Sequence, residues 1–156
     1  MTAPIYSIVT GAVALVAATA KTVIGVRAHA NSGLQLIALR LGFDGVLATA
    51  VPVLVELCYC TWATQPPGTL STSVTPVQKS GRVLAAGFTA GKDWTTTQPT
   101  VLTVLDAWPM TPNGGLALID VPLGNECDCA LAEGFALRFT APAAVNVYAA
   151  MDVVRI

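Results

Sequence analysis

The chain reads as a single all-β domain, an antiparallel sandwich or barrel. Apolar residues alternate with period two in one run after another, as on a strand with one buried face. No pattern of period 3.6 persists long enough for a crossover helix, which argues against a parallel α/β sheet. The runs are separated by Gly-, Pro- and Thr-rich connections, the punctuation of a many-stranded sandwich. At 156 residues one domain is expected, able to bury about two thirds of its extended surface without disulfide or metal.

Near the N-terminus, residues 5–10, 12–17 and 21–27 read as three short strands. Residues 12–20 (AVALVAATA) imitate the apolar core and small-residue cleavage site of a secretory leader. No Lys or Arg precedes Lys21, however, and a leader needs a positive flank. The stretch is therefore read as strand material. It is also short of the roughly 20 apolar residues of a membrane span. In residues 34–43 (LQLIALRLGF), Ile37, Leu39, Leu41 and Phe43 share one face; Ala38, Arg40 and Gly42 share the other. In residues 51–60 (VPVLVELCYC), Val51, Val53, Val55, Leu57 and Tyr59 oppose Pro52, Leu54, Glu56, Cys58 and Cys60. Short helices compete with strand at residues 45–50 and 125–133.

Residues 61–100 are Thr-rich and Pro-interrupted, long for a connection. An extended arm or long loop is expected around 61–80, with Trp62 and Trp94 as anchors on a neighbour or as plugs closing the ends of the core. One strand is expected in GRVLAAGF, residues 81–88. Residues 101–108 and 116–121 are two shorter apolar runs, and the PMTPNGG segment between them, residues 109–115, has hairpin-turn chemistry. Phe135, Leu137 and Phe139 point inward with Arg138 outward. In residues 145–154, Val145, Val147, Ala149, Met151 and Val153 alternate with Asn146, Tyr148, Ala150 and Asp152. The total is roughly eight to ten strands.

Charge is the unusual feature. Asp, Glu, Lys and Arg make up 11% of residues, against about 25% in ordinary soluble domains. The hydrophobic fraction is 54% and the mean hydropathy +0.65, carried by Ala, Val and Leu. Such a surface is ready to be covered by other subunits; the alternative is a monomer kept soluble by its Thr, Gly and Pro loops. A net charge of −1 with no basic cluster argues against the phosphate-neutralising face of a nucleic-acid binder and against a polybasic membrane contact.

Candidate chemistry is sparse. Cys58 with Cys60, and Cys127 with Cys129, are each at i, i+2, so each pair shares one face of a strand. Four thiolates suit tetrahedral zinc, but structural zinc sites use a longer gap within each pair. A disulfide inside either pair is strained, and one between pairs is sterically allowed. Unbonded thiols packed as small apolar groups are the expectation. His29 is the single histidine, expected in a loop after a strand. It is too isolated for a cupin metal centre and needs distant partners for a hydrolytic triad. The acids are dispersed, without a glycosidase-like pair. TAGKD, residues 89–93, departs from a phosphate loop in its Gly spacing and in Asp93, which stands where a hydroxyl belongs. Arg40 and Glu56 form a cross-strand ion pair if their strands are neighbours. No catalytic, cofactor-binding or metal-ligating residue is assigned, and no enzyme activity is expected.

Several stretches carry a resemblance. GFDG (42–45), VPVLVELC (51–58), STSVTPVQ (71–78), GRVLAAGFTAGKDWTTTQPTVL (81–102), TPNGG (111–115) and GFALRFTAPAAVNVYAAM (134–151) resemble small structural proteins encoded among the head genes of tailed bacteriophages. The likeness runs from about residue 6 to residue 152 and rests on overall wording, without a chemical motif. It implies a jelly-roll-like β-sandwich, assembling as a trimer or around a capsid symmetry axis and reinforcing the shell from outside. It also implies a virion location on the outer capsid surface after synthesis in the host cytoplasm. Its partners would be the major capsid protein shell and further copies of itself, with no nucleic acid and no membrane. Cys60 and Cys129 are extra to the family pattern. The outer-face apolar residues Leu54, Leu102 and Val104 suit an oligomer interface. The competing reading is a carbohydrate- or receptor-binding module of a virion tail or fibre, in which Trp62, Trp94, Trp108 and Tyr148 stack on sugars.

Overall fold

The structure, a computed structural model, describes residues 3–44, 51–113 and 116–156. Among these there is no helix, and twelve strands form: β1 (Ile5–Leu15), β2 (Ala20–Arg27), β3 (Leu34–Asp44), β4 (Val53–Cys60), β5 (Thr72–Val74), β6 (Val77–Ser80), β7 (Thr89–Lys92), β8 (Leu102–Met110), β9 (Leu116–Asp120), β10 (Cys127–Cys129), β11 (Gly134–Thr140) and β12 (Val145–Arg155). The first sheet runs β10-β3-β12-β1-β6, with β9 also on β3; the second runs β5-β7-β2-β11-β4-β8.

The pairing is nested. β1 lies against β12, β2 against β11, β3 against β9 and β10, and β4 against β8, all antiparallel. This is one long hairpin rolled into two facing sheets, the jelly-roll arrangement. β9 and β10 share a single edge of β3: Cys127–Cys129 lie opposite Leu34–Leu36, and Leu116–Asp120 opposite Ala38–Gly42. The core fills the gap between sheets. β12 contributes Val145, Val147, Ala149, Met151 and Val153, and β11 contributes Phe135, Leu137 and Phe139, all buried. Alternation supplies these faces as expected, because each inward side chain removes apolar surface from water at about 25 cal/mol per Å².

Several expectations are corrected by bulges and by the sandwich itself. The two strands expected at 5–10 and 12–17 are one strand, bent at a bulge between Val9 and Ala12 where Gly11 supplies φ +67°. In β3 the register shifts between Ala38 and Leu36 opposite β12, so Leu34 and Leu36 reach the core and Ile37 is only half-buried. The runs at 101–108 and 116–121 do not form a hairpin, because β8 pairs with β4 in one sheet and β9 with β3 in the other. Residues 125–133 contain β10, not a helix. The helical alternative at 45–50, and Gly114 and Gly115 of the expected turn, lie outside the described residues. GRVLAAGF forms no strand; the strand begins after it, at Thr89.

The segment at 61–80, expected as an arm or long loop, lies along the chain's own edges. β6 extends the first sheet beside β1, and β5 extends the second beside β7. The exposed area of 7392 Å² matches the roughly 7,400 Å² of a monomer of this mass, as a folded-back segment requires. Trp62 and Trp94 hold it there. Their rings stack at 5.6 Å and 16°, both are buried, and they cluster with Cys60 and Ala136 on the outer face of the second sheet. The Trp62 indole N–H donates to the Val26 carbonyl at 2.9 Å, and that of Trp94 to the Gln65 carbonyl at 2.9 Å. Trp62 also has φ +54°, which is disfavoured for a bulky residue and persists only where packing determines it.

Room for the two indoles exists because the strands below them carry glycine. A Cβ on Gly25 would stand 2.5 Å from the Trp62 ring and 3.0 Å from the Trp94 ring. Gly25→Ala is therefore expected to destabilise by about 2 kcal/mol through overpacking, and Trp62→Ala by about 3–5 kcal/mol through the cavity it leaves. In denaturant titrations the double variant should lose clearly less than the sum, because removing the ring removes the clash. Additive losses would refute this account of the cover.

Candidate functional site

The cysteines do not come together as a set of four. β4 places Cys58 and Cys60 on the outer face of the second sheet, while β10 places Cys127 and Cys129 at the edge of the first. All four are free thiols; Cys58, Cys60 and Cys129 are buried and Cys127 is half-buried. Burial pushes the Cys58 thiol up to about 11, and does the same to Cys129; Cys60 is raised for the same reason. Near neutral pH these three stay protonated, and the neutral thiol is a poor nucleophile. The Cys60 sulfur accepts the Trp62 backbone N–H at 3.4 Å, and the Cys129 thiol donates to the Glu133 carbonyl at 3.5 Å. Their roles are local packing and hydrogen bonding. Among the described residues no three His, Cys, Asp or Glu side chains stand close enough to hold a metal ion.

His29 follows β2 in an exposed turn, where its Nδ1 accepts the Asn31 backbone N–H at 3.2 Å. It borders a cavity of about 270 Å³ shared with Arg27, Phe88 and Thr89, and no carboxylate lines that cavity. The TAGKD stretch is β7 followed by Asp93. Asp93 forms an ion pair with Lys21, and its N–H donates to the Val23 carbonyl at 3.0 Å. The glycine of this stretch, Gly91, packs against Pro67 and Ser71.

The expected Arg40–Glu56 pair is replaced by two others, because β3 and β4 belong to different sheets. Arg138 directly faces Glu56 across β11 and β4 and binds it through two N–H groups, at 2.7 and 3.0 Å. Arg40 binds Asp152 on the neighbouring β12 at 2.7 and 2.8 Å and reaches the Ser7 hydroxyl at 3.0 Å. Lys79 of β6 donates to the same carboxylate at 2.7 Å. Four strands of the first sheet thus converge on Asp152. Sequence reasoning missed this centre, since its members lie as far apart as Ser7 and Asp152. The inward-outward alternation of residues 145–154 was the available signal, because it put a carboxylate on the strand's outer face.

Beside this centre, two neighbouring rows of the same face carry mostly apolar side chains, while Asp120, Asp44 and Asn146 lie in the rows that flank them. Across the first sheet, Val9, Ala150, Arg40 and Leu118 form one row of register neighbours, and Ala12, Tyr148, Gly42 and Leu116 form the next. Val9 is 58% exposed, and Leu116 and Leu118 are 63% exposed. A shallow cavity of about 230 Å³ lies between Val9, Leu116 and Tyr148. Of the outer-face residues singled out from sequence, Leu54 and Val104 are exposed, whereas Leu102 packs beneath the two tryptophans. Trp62 and Trp94 are buried and present no ring face to a ligand. Trp108 is half-buried, and Tyr148 is exposed with its hydroxyl donating to Asp44 at 2.9 Å.

Burial disfavours the Asp152 carboxylate, but hydrogen bonds from Arg40, Lys79 and Ser7 outweigh it and hold the group at about 2, against 3.8 for a free side chain. A depressed pKa contributes stability that is complete above about pH 4 and is lost as pH falls towards 2. Asp152→Asn is expected to reduce stability by on the order of 2 kcal/mol at neutral pH. It should also flatten the acid dependence in that window. Urea unfolding of both proteins across the range checks this, and parallel acid limbs would rule it out.

Comparison with protein-family models, with curated proteins and with solved structures finds no match to this chain.

Proposed function

We propose that the chain is a viral structural protein that decorates and stabilises the outside of a capsid shell as a symmetric trimer. The observation that carries this reading is the outer face of the first sheet, where two adjacent register rows expose Val9, Leu116, Leu118 and Tyr148 beside the Asp152 ion cluster. Contiguous apolar area of this kind marks a protein–protein contact surface. The resemblance of residues 6–152 to phage head proteins supports the same reading, as does the jelly-roll topology at the level of fold. Scarcity of charge fits it too. Among the described residues, four ion pairs engage seven of the seventeen charged side chains of the chain.

A decoration protein gains from multiplicity. Copies held side by side on a lattice convert each weak contact into an intramolecular one at high effective concentration. The first sheet's apolar face is the surface assigned to the major capsid protein shell. In this reading the protein is made in the host cytoplasm and resides on the virion exterior, without nucleic-acid or membrane contact. The glycan-binding alternative loses support, since two of its four aromatic residues lie inside the molecule.

Sedimentation of the purified chain should give about three times the 16.0 kDa protomer mass. Empty shells should bind it saturably, and Leu118→Asp should weaken that binding at least about tenfold while leaving the fold unchanged. A strict monomer at tens of micromolar that also ignores empty shells would end the proposal.

A further inference from the structure

The two lateral sides of the sandwich are chemically unlike. On one side, residues 81–88 connect β6, at the edge of the first sheet, to β7, near the edge of the second. This segment forms no strand. Its backbone is held by side chains: the Tyr6 hydroxyl donates to the Leu84 carbonyl at 2.9 Å, and Gln78 bonds the Arg82 carbonyl at 2.8 Å and the Leu84 N–H at 3.2 Å. Phe88 at its end is buried against Tyr6, but the side chains from Arg82 to Ala85 face water. Val83 is 89% exposed and Leu84 47%, and among the described residues the Arg82 guanidinium has no ion-pair partner. The sequence has strand character here, and the chain leaves it unpaired.

The opposite lateral side is open. Among the described residues β8 pairs only with β4 and β9 only with β3. Between them a cleft of about 340 Å³ enters the sandwich, walled by Leu39, Leu57, Trp108 and Ile119 and bordered by Asp106 and Asp120, with no Lys, Arg or His in its lining. Asp106 is there because of a bulge. The register of β8 slips between Leu57 and Cys58, leaving Leu105 without a partner and setting Asp106 opposite the inward-facing Leu57. Without that extra residue, Asp106 would lie on the outer face beside Glu56. Bulges commonly re-aim a side chain in this way.

We infer that the exposed 81–86 segment of one copy docks into the β8–β9 cleft of a second copy, with Val83 entering the apolar cleft and Arg82 meeting Asp106 at its rim. Successive side chains of an added strand diverge, so one can fill the cleft while the next stays at the border. The free edge of β8 supplies the backbone groups for strand addition. The side-chain anchors on Gln78 and Tyr6 hold the segment in place before it binds, which reduces the ordering entropy of association. Donor and acceptor lie on opposite lateral sides, so the contact is head-to-tail, and such contacts close into rings when the rotation permits. The inference rests on the self-association in the proposed function and adds both halves of the contact.

Charge exchange tests it on the full chain. Arg82→Glu alone and Asp106→Arg alone should each weaken self-association in sedimentation by at least about tenfold, whereas the two together in one chain should recover most of it. Both residues are exposed, and unchanged thermal unfolding of the dissociated protein would verify the fold. Val83→Asp should dissociate the oligomer without rescue. An oligomer indifferent to all these variants, or a double variant no better than the singles, overturns the contact while leaving the decoration reading standing. A wild-type chain that remains monomeric overturns the contact as well, and shell binding then decides the broader reading separately.

Discussion

β12 is the strand on which both the inside and the outside of the first sheet depend. Rolling a long hairpin into a jelly roll inserts the last strand of the chain between β1 and β3, so the sheet has no continuous inner face until residues 145–155 are in place. Inward, Val145, Val147, Ala149, Met151 and Val153 form the floor of the core. Outward, Asp152 is the counter-charge for Arg40 from β3 and Lys79 from β6. The short edge strand β6 is thus fastened electrostatically to a strand it does not touch in the hydrogen-bond ladder. Such closure between chain ends carries a large loop-entropy cost, which the period-two apolar faces must offset.

The second sheet solves a different problem. Its outer face carries Gly25, Gly134, Ala136 and Cys60, too small to form a wet polar surface. The chain covers them with the stacked indoles of Trp62 and Trp94. Covering that face ties down residues 61–100, and the same segment supplies β5, β6 and β7 to the sheet edges. Thr22 and Gln98 continue the fastening, since the Thr22 N–H donates to the Gln98 side chain at 2.7 Å. The long Thr- and Pro-rich stretch is therefore a cover for its own domain, which explains why a segment this long stays compact.

The strand content and most inward faces were legible because alternation is a local property: β4, β11 and β12 bury the residues that their period assigns. What was not legible depended on partners distant in sequence. The slip at Ile37, the fusion of β1 through Gly11 and the bulge at Leu105 each follow from register with another strand, which periodicity within one strand does not encode. The apparent hairpin across residues 109–115 failed because turn chemistry specifies a reversal of the chain, not the sheet in which the next strand lands. The packing expected for the thiols holds, but what covers Cys60 was hidden for a related reason. Its face was read correctly, but whether that face is wet depends on Trp62 and Trp94. The Asp152 centre likewise draws on Ser7, Arg40 and Lys79, three residues with no mutual spacing signal.

The contrast between the two outer faces bears most directly on function. Both are poor in charge, yet the chain uses its large aromatic residues and its longest irregular segment to cover part of just one of them. On the other, Arg40 is drawn into Asp152 and the exposed Val9, Leu116 and Leu118 remain. A lone soluble domain would gain by replacing those residues with Lys, Glu or Thr, since outer-face positions on a strand tolerate polar side chains freely. Their presence beside a counterpart that the indoles cover over Cys60 and Ala136 fits a surface whose cover comes from another molecule. The lateral sides repeat the logic at smaller scale, with an unpaired segment on one and an acid-rimmed apolar cleft on the other.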